Sequence, residues 1–221
     1  MRIVAAPACA SKPGRCYRRN VRRWWNLSAV VLLALACSRS QEREAPARRE
    51  MTPADYDAWR RPDVLVAALA LQAGDVVADV GAGSGYLTGR LASAVGPTGR
   101  VVATDIDAAA LAQVDRLRPA VGAAPIETRL VAADRPGLEQ GHYDLILLAE
   151  VDQYLADRAA YLRQLRAALS GRGRIAVSNR LYHRAALLAA AREAGFAIVA
   201  EHRAELPGQY LVLLAPAADG R

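Results

Sequence analysis

Short apolar runs alternate with amphipathic segments along most of the 221-residue chain. The apolar runs are bounded by Gly, Pro and Asp and have the length of buried strands. They predict strands at residues 76–80, 101–104, 126–132, 144–148, 174–177, 196–201 and 210–214. Apolar residues at helical spacing predict helices at residues 64–71, 85–95, 108–117, 158–169 and 184–194.

This order of elements predicts the fold class. Strands that alternate with helices form right-handed crossovers, which give a parallel sheet covered by helices on both faces. Only a short Pro207-Gly208 connection separates the last two predicted strands, so they pair antiparallel at one edge. We therefore predict an α/β protein with a doubly wound seven-stranded sheet that is mostly parallel and has an antiparallel last strand.

A glycine-rich loop at residues 79–86 follows the first strand and opens a helix. That junction lies at the carboxyl ends of the strands, where such sheets bind ligands. Gly81 permits a backbone conformation that a Cβ resists, Gly83 leaves room for a ligand, and Gly85 lets the helix N-terminus come close. The spacing is Gly-x-Gly-x-Gly, and Tyr86 stands where the dinucleotide fingerprint has its last glycine, which disfavours pyrophosphate binding.

The loop resembles the cofactor loop of class I S-adenosylmethionine-dependent methyltransferases. Asp79, Gly81, Gly83 and Gly85 match the acidic-x-Gly-x-Gly-x-Gly signature of that family at every defined position. The resemblance covers most of residues 55–215. It implies a Rossmann-like fold and S-adenosylmethionine as the cofactor, bound by these four residues.

The resemblance also assigns cofactor residues after the next two strands. Asp105 ends the second strand, where a carboxylate of the family accepts hydrogen bonds from two ribose hydroxyls. Ile106 is then expected against the adenine ring, and Asp134 near the adenine amino group. Asp107 is better explained as a helix N-cap. Tyr86 either lines the cofactor pocket or packs on the first helix.

Residues that follow the fourth strand face the reactive methyl group in proteins of this family. The resemblance therefore makes Glu150 and Tyr154 the predicted catalytic residues, with Asp152 as a further candidate. Asn179 and His183, after the fifth strand, are candidates for the acceptor pocket. A role as a cap, a turn residue or a surface group explains each of these side chains equally well.

A subgroup of methyltransferase-domain proteins, several with export signals, is similar at two further places. Its members carry a Trp-x-x-Pro segment before the first strand, matched at residues 59–62, and a Gln-Tyr pair near the last strand, matched at residues 209–210. They often carry a Tyr-His-His run after the fourth strand. Residues 150–155 contain no histidine, so this chain departs from the subgroup where catalysis is expected.

Charge and cysteine distribution set the first fifty residues apart. The chain has a net charge of +7, but residues 1–50 hold 11 basic and 3 acidic residues, while residues 51–221 hold 18 and 19. Arginines precede a short apolar run at residues 27–36, and Cys37 follows, as in a bacterial lipoprotein signal. Such signals favour an aliphatic residue three positions before the cysteine, where this chain has Ala34. An ordinary signal peptide or an uncleaved anchor are the alternatives.

The predicted organisation has four segments. They are a lipoprotein-type signal peptide at 1–36, a flexible tether at 37–52, a class I methyltransferase-like domain at 53–216 and a tail at 217–221. The signal implies a lipid on Cys37, hence membrane attachment in the cell envelope on the periplasmic side. If the signal is unused, the chain is cytoplasmic.

The predicted function is S-adenosylmethionine-dependent methyl transfer to a small-molecule acceptor. A nucleic-acid partner is disfavoured because the domain is nearly neutral. No metal is expected, because all three cysteines precede residue 38 and the three histidines are scattered. S-adenosylmethionine is made in the cytosol, so export conflicts with this activity. The alternative is a catalytically silent, envelope-anchored lipoprotein that binds a small molecule. The oligomeric state is open.

Overall fold

The computed structural model describes residues 53–118 and 120–218, which belong to one compact unit, Met51–Arg221. The predicted signal peptide, the lipid attachment at Cys37 and the whole of the tether lie outside the described residues, as do the last three residues of the predicted tail. Among the helices that are described, none combines the length and the apolar character needed to cross a membrane.

Six helices and seven strands form the described part of the chain. The helices are α1 (Pro53–Arg60), α2 (Pro62–Ala68), α3 (Thr88–Val95), α4 (Ala108–Val114), α5 (Arg158–Ala168) and α6 (Arg184–Glu193). The strands are β1 (Val76–Val80), β2 (Arg100–Asp105), β3 (Ile126–Leu130), β4 (Tyr143–Ala149), β5 (Leu169–Arg180), β6 (Phe196–His202) and β7 (Gln209–Pro216). Single 3-10 turns cover Asp152–Tyr154 and Leu181–His183.

The seven strands form one sheet in the order β3-β2-β1-β4-β5-β7-β6. The strands β1 to β5 pair in parallel, and β7 runs antiparallel to both β5 and β6. The predicted fold class is thereby confirmed. The strand order reverses between β1 and β4, and at such a switch point the connections diverge and leave a crevice at the carboxyl ends of the strands.

The core has one layer on each face of the sheet, because side chains alternate along every strand. Ala78 of β1 and Ile146 of β4 pack on the face covered by α5 and α6. Val77 and Leu147, their neighbours in sequence, pack on the face covered by α2 and α3. Both faces are therefore apolar, as the continuous apolar runs of the central strands predict.

The helix after the glycine loop begins later than predicted. The sequence pattern predicts a helix from Gly85, but α3 begins at Thr88. Gly85 has a φ of +86°, and its N–H donates to the carbonyl oxygen of Ala82 at 3.0 Å, so the chain is still turning there. In contrast, the predicted N-cap is confirmed, since the Asp107 carboxylate accepts from the N–H of Ala109 at 2.8 Å.

Strand β5 is much longer than predicted. The sequence predicts that Gly171 and Gly173 end the preceding helix, yet both lie inside β5, whose register against β4 shifts between Tyr143 and Leu145. A Cβ on Gly173 would overlap the carbonyl oxygen of Tyr143. The second glycine therefore permits a bulge at which the two backbones approach closely.

Candidate functional site

Two adjoining clefts open at the carboxyl ends of β1, β2 and β4, and both are lined by Gly81, Ala149 and Glu150. The larger cleft, of about 370 Å³, lies towards β2 and the residues after β3. The smaller cleft, of about 200 Å³, lies between the glycine loop and α1. The shared wall makes them two parts of one crevice at the switch point of the sheet.

Hydrogen bonds tie the glycine loop to the end of β2. The N–H of Gly81 donates to the carbonyl oxygen of Thr104 at 2.8 Å. The N–H of Gly83 donates to Oδ2 of Asp105 at 2.8 Å, and the N–H of Asp107 donates to Oδ1 at 2.9 Å. Each carboxylate oxygen keeps a further acceptor site. Asp105 is therefore held in place, half-buried at the larger cleft, and can still accept two hydrogen bonds.

The glycines of the loop have different surroundings. Gly81 has a φ of +72°, and a Cβ there would overlap the side chain of Val151. A Cβ on Gly83 would meet nothing within 4 Å, so this residue faces open space in the smaller cleft. Gly85 faces away from both clefts, where a Cβ would come within 2.8 Å of Leu117. Gly81 and Gly83 thus shape the crevice, and Gly85 allows packing beneath it.

Asp79 places a buried carboxyl group under the smaller cleft. Its side chain is 2% exposed and accepts from the Thr88 hydroxyl at 2.7 Å. Burial raises the pKa of Asp79 from 3.8 to about 6, and the negative charge of Asp105 adds to the increase. The Thr88 hydrogen bond and the Arg60 charge act in the opposite direction. Asp79 is therefore mostly an anion at neutral pH.

Helix α1 supplies the opposite wall of the smaller cleft with Tyr56 and Arg60. Arg60 is 3% exposed, and its Nη1 donates to Oε1 of Gln209 at 3.3 Å. Gln209 in turn donates to the carbonyl oxygen of Trp59 at 2.8 Å. Within the described residues, Nε of Arg60 is buried without a hydrogen-bond partner. Such a donor beside a cleft fits a ligand that carries an acceptor oxygen.

Tyr56 and Arg60 are site residues that were not predicted from the sequence. A signal for Arg60 is present in the two segments that resemble the methyltransferase-domain subgroup, residues 59–62 and 209–210, whereas Tyr56 lies outside both. The Gln209 contacts join these segments, although they lie about 150 residues apart in sequence. The two segments therefore form one hydrogen-bonded unit that sets the position of Arg60.

Glu150 stands where the two clefts meet, on a strained backbone. Its φ is +60°, a conformation that residues with a Cβ rarely adopt, and its N–H donates to the carbonyl oxygen of Ser178 at 2.8 Å. Its Oε1 lies 3.5 Å from Nη1 of Arg60 and 3.9 Å from Nε of Arg180. That oxygen is buried and, among the described groups, accepts no hydrogen bond. The strain and the unpaired oxygen both favour a functional role.

Tyr86 lies beside α1, which precedes the first helix that the sequence pattern predicts, at residues 64–71. It lines the smaller cleft, and it also packs on α1, with its ring edge-on to Tyr56 at 5.0 Å and its hydroxyl donating to the Asp57 carboxylate. Burial, followed by the hydrogen bond to Asp57, raises the pKa of the hydroxyl. Tyr86 therefore stays protonated and fixes α1 against the loop.

The remaining predicted cofactor and catalytic residues lie at the rim. Ile106 and Tyr154 line the larger cleft and are 64% and 81% exposed. Ala133 lines that cleft as well, but Asp134 is exposed beside it, and its carbonyl oxygen accepts from Nε2 of Gln164 at 3.0 Å. The contact between Asp134 and an adenine ring stays a prediction.

Asp152 and Asn179 form a buried pair outside the two clefts. Nδ2 of Asn179 donates to Oδ1 of Asp152 at 2.6 Å, and Nε of Arg158 lies 3.4 Å from Oδ2. Each of the paired side chains is 1% exposed. His183 packs its ring against Tyr182 at 4.1 Å. The buried pair therefore joins the ends of β4 and β5, while Glu150 faces the crevice.

The comparisons with known proteins agree with this geometry. Residues 78–175 match the model of a family described as a methyltransferase domain. This segment runs from β1 to β5 and includes the glycine loop, Asp105 and Glu150. A comparison with curated protein sequences found no match.

Solved structures share the fold over most of the described residues. A SAM-dependent methyltransferase from Aquifex aeolicus is 18% identical with a TM-score of 0.66, covering 74% of this chain and 93% of its own. A possible exported protein from Bordetella parapertussis is 21% identical with a TM-score of 0.60, covering 76% and 71%. A SAM-dependent O-methyltransferase from Thermotoga maritima is 18% identical with a TM-score of 0.58, covering 73% and 66%.

The sheet order, the glycine loop and the family match point to one class of protein. Residues 78–175 match the methyltransferase-domain family, and the fold around them is one that solved SAM-dependent methyltransferases share. The cofactor of this class is S-adenosylmethionine.

Proposed function

We propose that this chain transfers the methyl group of S-adenosylmethionine to a small-molecule acceptor. The observation that carries the proposal is the hydrogen bond from the Gly83 N–H to the Asp105 carboxylate at 2.8 Å. It joins the glycine loop to the predicted ribose-binding acid, at a cleft that extends to the strained Glu150. A loop that only connected β1 to α3 needs neither this bond nor the open space at Gly83.

The two clefts suit the two halves of the cofactor. In the larger cleft, Asp105 can accept from ribose hydroxyls, and Ile106 offers an apolar surface to the adenine ring. In the smaller cleft, the unpaired Nε of Arg60 can donate to the carboxylate of the methionine part, and the negative charge of Asp79 favours its ammonium group. These residues fit the cofactor in polarity and in charge.

In this proposal, the protein aligns the cofactor with the acceptor and removes a proton from the acceptor. S-adenosylmethionine supplies a methyl group that its sulfonium charge already activates. Glu150 lies at the junction of the clefts and its carboxylate accepts no hydrogen bond from the described groups, so it can take the proton of a hydroxyl or amine acceptor. Tyr154, at the rim beside it, contacts the acceptor. The hydrogen bonds that the Gly81 and Gly83 N–H groups donate keep the loop rigid during the reaction.

Calorimetric titration of the full-length protein with S-adenosylmethionine and S-adenosylhomocysteine tests cofactor binding. We expect both to bind. The absence of heat and of any thermal shift at millimolar ligand would contradict the enzyme proposal and leave the methyltransferase fold as a scaffold. If both bind, radiolabelled methyl transfer to mixtures of small acceptors separates an enzyme from a silent binding protein.

Replacing Asp105 with Ala should weaken S-adenosylmethionine binding. The change removes two acceptor oxygens and frees the Gly83 N–H, so we expect a loss of about 2–3 kcal/mol, or roughly 30- to 150-fold in affinity. Calorimetry measures the affinity. Asp115→Ala is the control, because Asp115 is an exposed carboxylate near the end of α4 that accepts from Thr128 at 2.8 Å. Equal affinities for both variants would refute the ribose assignment.

We further propose that the first 36 residues export the chain and that Cys37 carries the lipid. The support is the arginine-rich segment, the apolar run and the cysteine after Ala36. The occurrence of the same fold in a possible exported protein from Bordetella parapertussis is compatible with this address. Labelled palmitate should be incorporated by the wild-type protein in bacterial cells and not by Cys37→Ser, and globomycin should block processing. A soluble, unlabelled wild-type protein in the cytoplasm would contradict this proposal.

A further inference from the structure

Among the described residues, an arginine at the mouth of the crevice has no hydrogen-bond partner for its side chain. Arg180 ends β5, and its guanidinium lies over the ring of Trp59 at 5.1 Å. The side chain is 54% exposed, and its Nε is 3.9 Å from Oε1 of Glu150, too far for a hydrogen bond. Across the described part of the chain, no residue accepts a hydrogen bond from this guanidinium. The ring of Trp59 therefore orients a cation whose donors remain available.

Arg180 shares its nearest carboxylate with a second arginine. Arg60 is already 3.5 Å from the same Oε1 of Glu150 and is buried beneath it. Two guanidinium groups thus share one carboxylate, and Arg60 also lies close enough to the buried Asp79 to lower its pKa, so Arg180 is the less firmly paired of the two cations. Arg180 and Gln209 are opposite each other in the β5–β7 register, and Gln209 holds Arg60. The pairing of β5 with β7 therefore positions both Arg180 and, through Gln209, Arg60.

We propose, on the basis of the proposed function, that the methyl acceptor is a small anion and that Arg180 binds its carboxylate or phosphate group. A guanidinium stacked on an aromatic ring presents its donors in a fixed plane, which suits bidentate binding of either group. A single exposed guanidinium, in a domain of nearly balanced charge, fits a small anion rather than a polyanion.

Anion binding at Arg180 also leaves the rest of the site intact. When the anionic group pairs with Arg180, Glu150 keeps Arg60 as its partner, 3.5 Å from Oε1. For a hydroxyl or amine acceptor, the new bond joins the acceptor atom to the methyl carbon. The carbon–sulfur bond breaks, its electrons remain on sulfur, and the acceptor proton goes to the Glu150 carboxylate. Arg180 is therefore the specificity determinant.

Fluorescence of Trp59 provides a direct test, because the only other tryptophans are Trp24 and Trp25. The full-length chain with Trp24→Phe and Trp25→Phe has Trp59 as its only fluorescent indole. We expect benzoate or phenyl phosphate to change this fluorescence saturably, and the neutral benzamide to have no effect. Whichever anion binds with the higher affinity shows whether the site recognises a carboxylate or a phosphate.

Three variants make the test specific. Arg180→Gln should weaken anion binding by about tenfold to a hundredfold, the range for a charge-assisted pair, and Arg180→Lys should weaken it less. Arg203→Gln should leave it unchanged, since Arg203 is 55% exposed and lies 3.7 Å from Glu201 in a comparable exposed ion pair. Equal responses to benzoate and benzamide, unchanged affinity in Arg180→Gln, or no saturable response to either anion would each overturn the proposal.

Binding of S-adenosylhomocysteine to the wild-type protein is measured in the same buffer. If it fails while benzoate binds through Arg180, the methyltransferase proposal is wrong and the anion site stands. If it holds while the anions fail, only the acceptor proposal is wrong.

Discussion

Replacing Asp79 with Asn should stabilise the folded protein above about pH 6 and weaken its binding of S-adenosylmethionine. Burial raises the pKa of Asp79 from 3.8 to about 6, so the folded state holds this proton more tightly than the unfolded state does. Ionisation of Asp79 therefore lowers the free energy of unfolding of the wild type. This loss is absent below pH 3.8, grows as the pH rises to about 6, and is complete above it, where it reaches about 3 kcal/mol.

Asparagine keeps the shape of the side chain and can still accept from the Thr88 hydroxyl, but it carries no charge to bury. Chemical unfolding at pH 4 and pH 8 measures the difference. The free energy of unfolding of Asp79→Asn should exceed that of the wild type by up to about 3 kcal/mol at pH 8 and match it near pH 4. Asp115→Asn is the control, because it alters an exposed carboxylate that also accepts from a threonine hydroxyl. A stability difference that is the same at both pH values would contradict the assignment.

The same substitution should weaken cofactor binding. The ionised Asp79 favours the ammonium group of S-adenosylmethionine, so its loss should lower the affinity by roughly tenfold at pH 8. Wild-type affinity should also fall as the pH drops through about 6, and the variant should lack this step. A variant that gains stability and keeps its affinity would show that Asp79 acts on the fold alone.

The second large effect is expected at the bulge of β5. Gly173→Ala should destabilise the protein by about 3 kcal/mol, because the added Cβ would overlap the backbone carbonyl of Tyr143 and lie 2.9 Å from both Leu169 and Ser170. The backbone of one strand must move to relieve this overlap. Denaturant unfolding at constant pH measures the loss.

Gly171→Ala is the matched control, since a Cβ at Gly171 meets nothing within 4 Å. Its effect should stay within about 0.5 kcal/mol. The two glycines are two residues apart in one strand, so composition and strand propensity affect both substitutions equally. Similar losses for both would mean that the close approach of β4 and β5 does not require glycine at residue 173.

Part of the candidate site could be predicted from the local sequence. The acidic residue and the glycines of the loop were identified from their order alone, and the structure brings Asp79, Gly81, Gly83 and Asp105 to one crevice. Their burial and their partners could not be predicted, because Thr88 and Arg60 approach Asp79 only in the folded chain. The wall formed by α1 was missed for the same reason.

What the sequence determined by itself is the set of strands, their parallel arrangement and the place of the glycine loop. Each of these depends on the apolar period and on residues adjacent in the chain. Only the tertiary structure decided that α3 begins at Thr88, that Gly173 forms a bulge and that Gln209 of β7 bonds to Trp59 and Arg60 of α1. Those features depend on hydrogen bonds and close contacts between strands and helices distant in sequence, which local periodicity does not record.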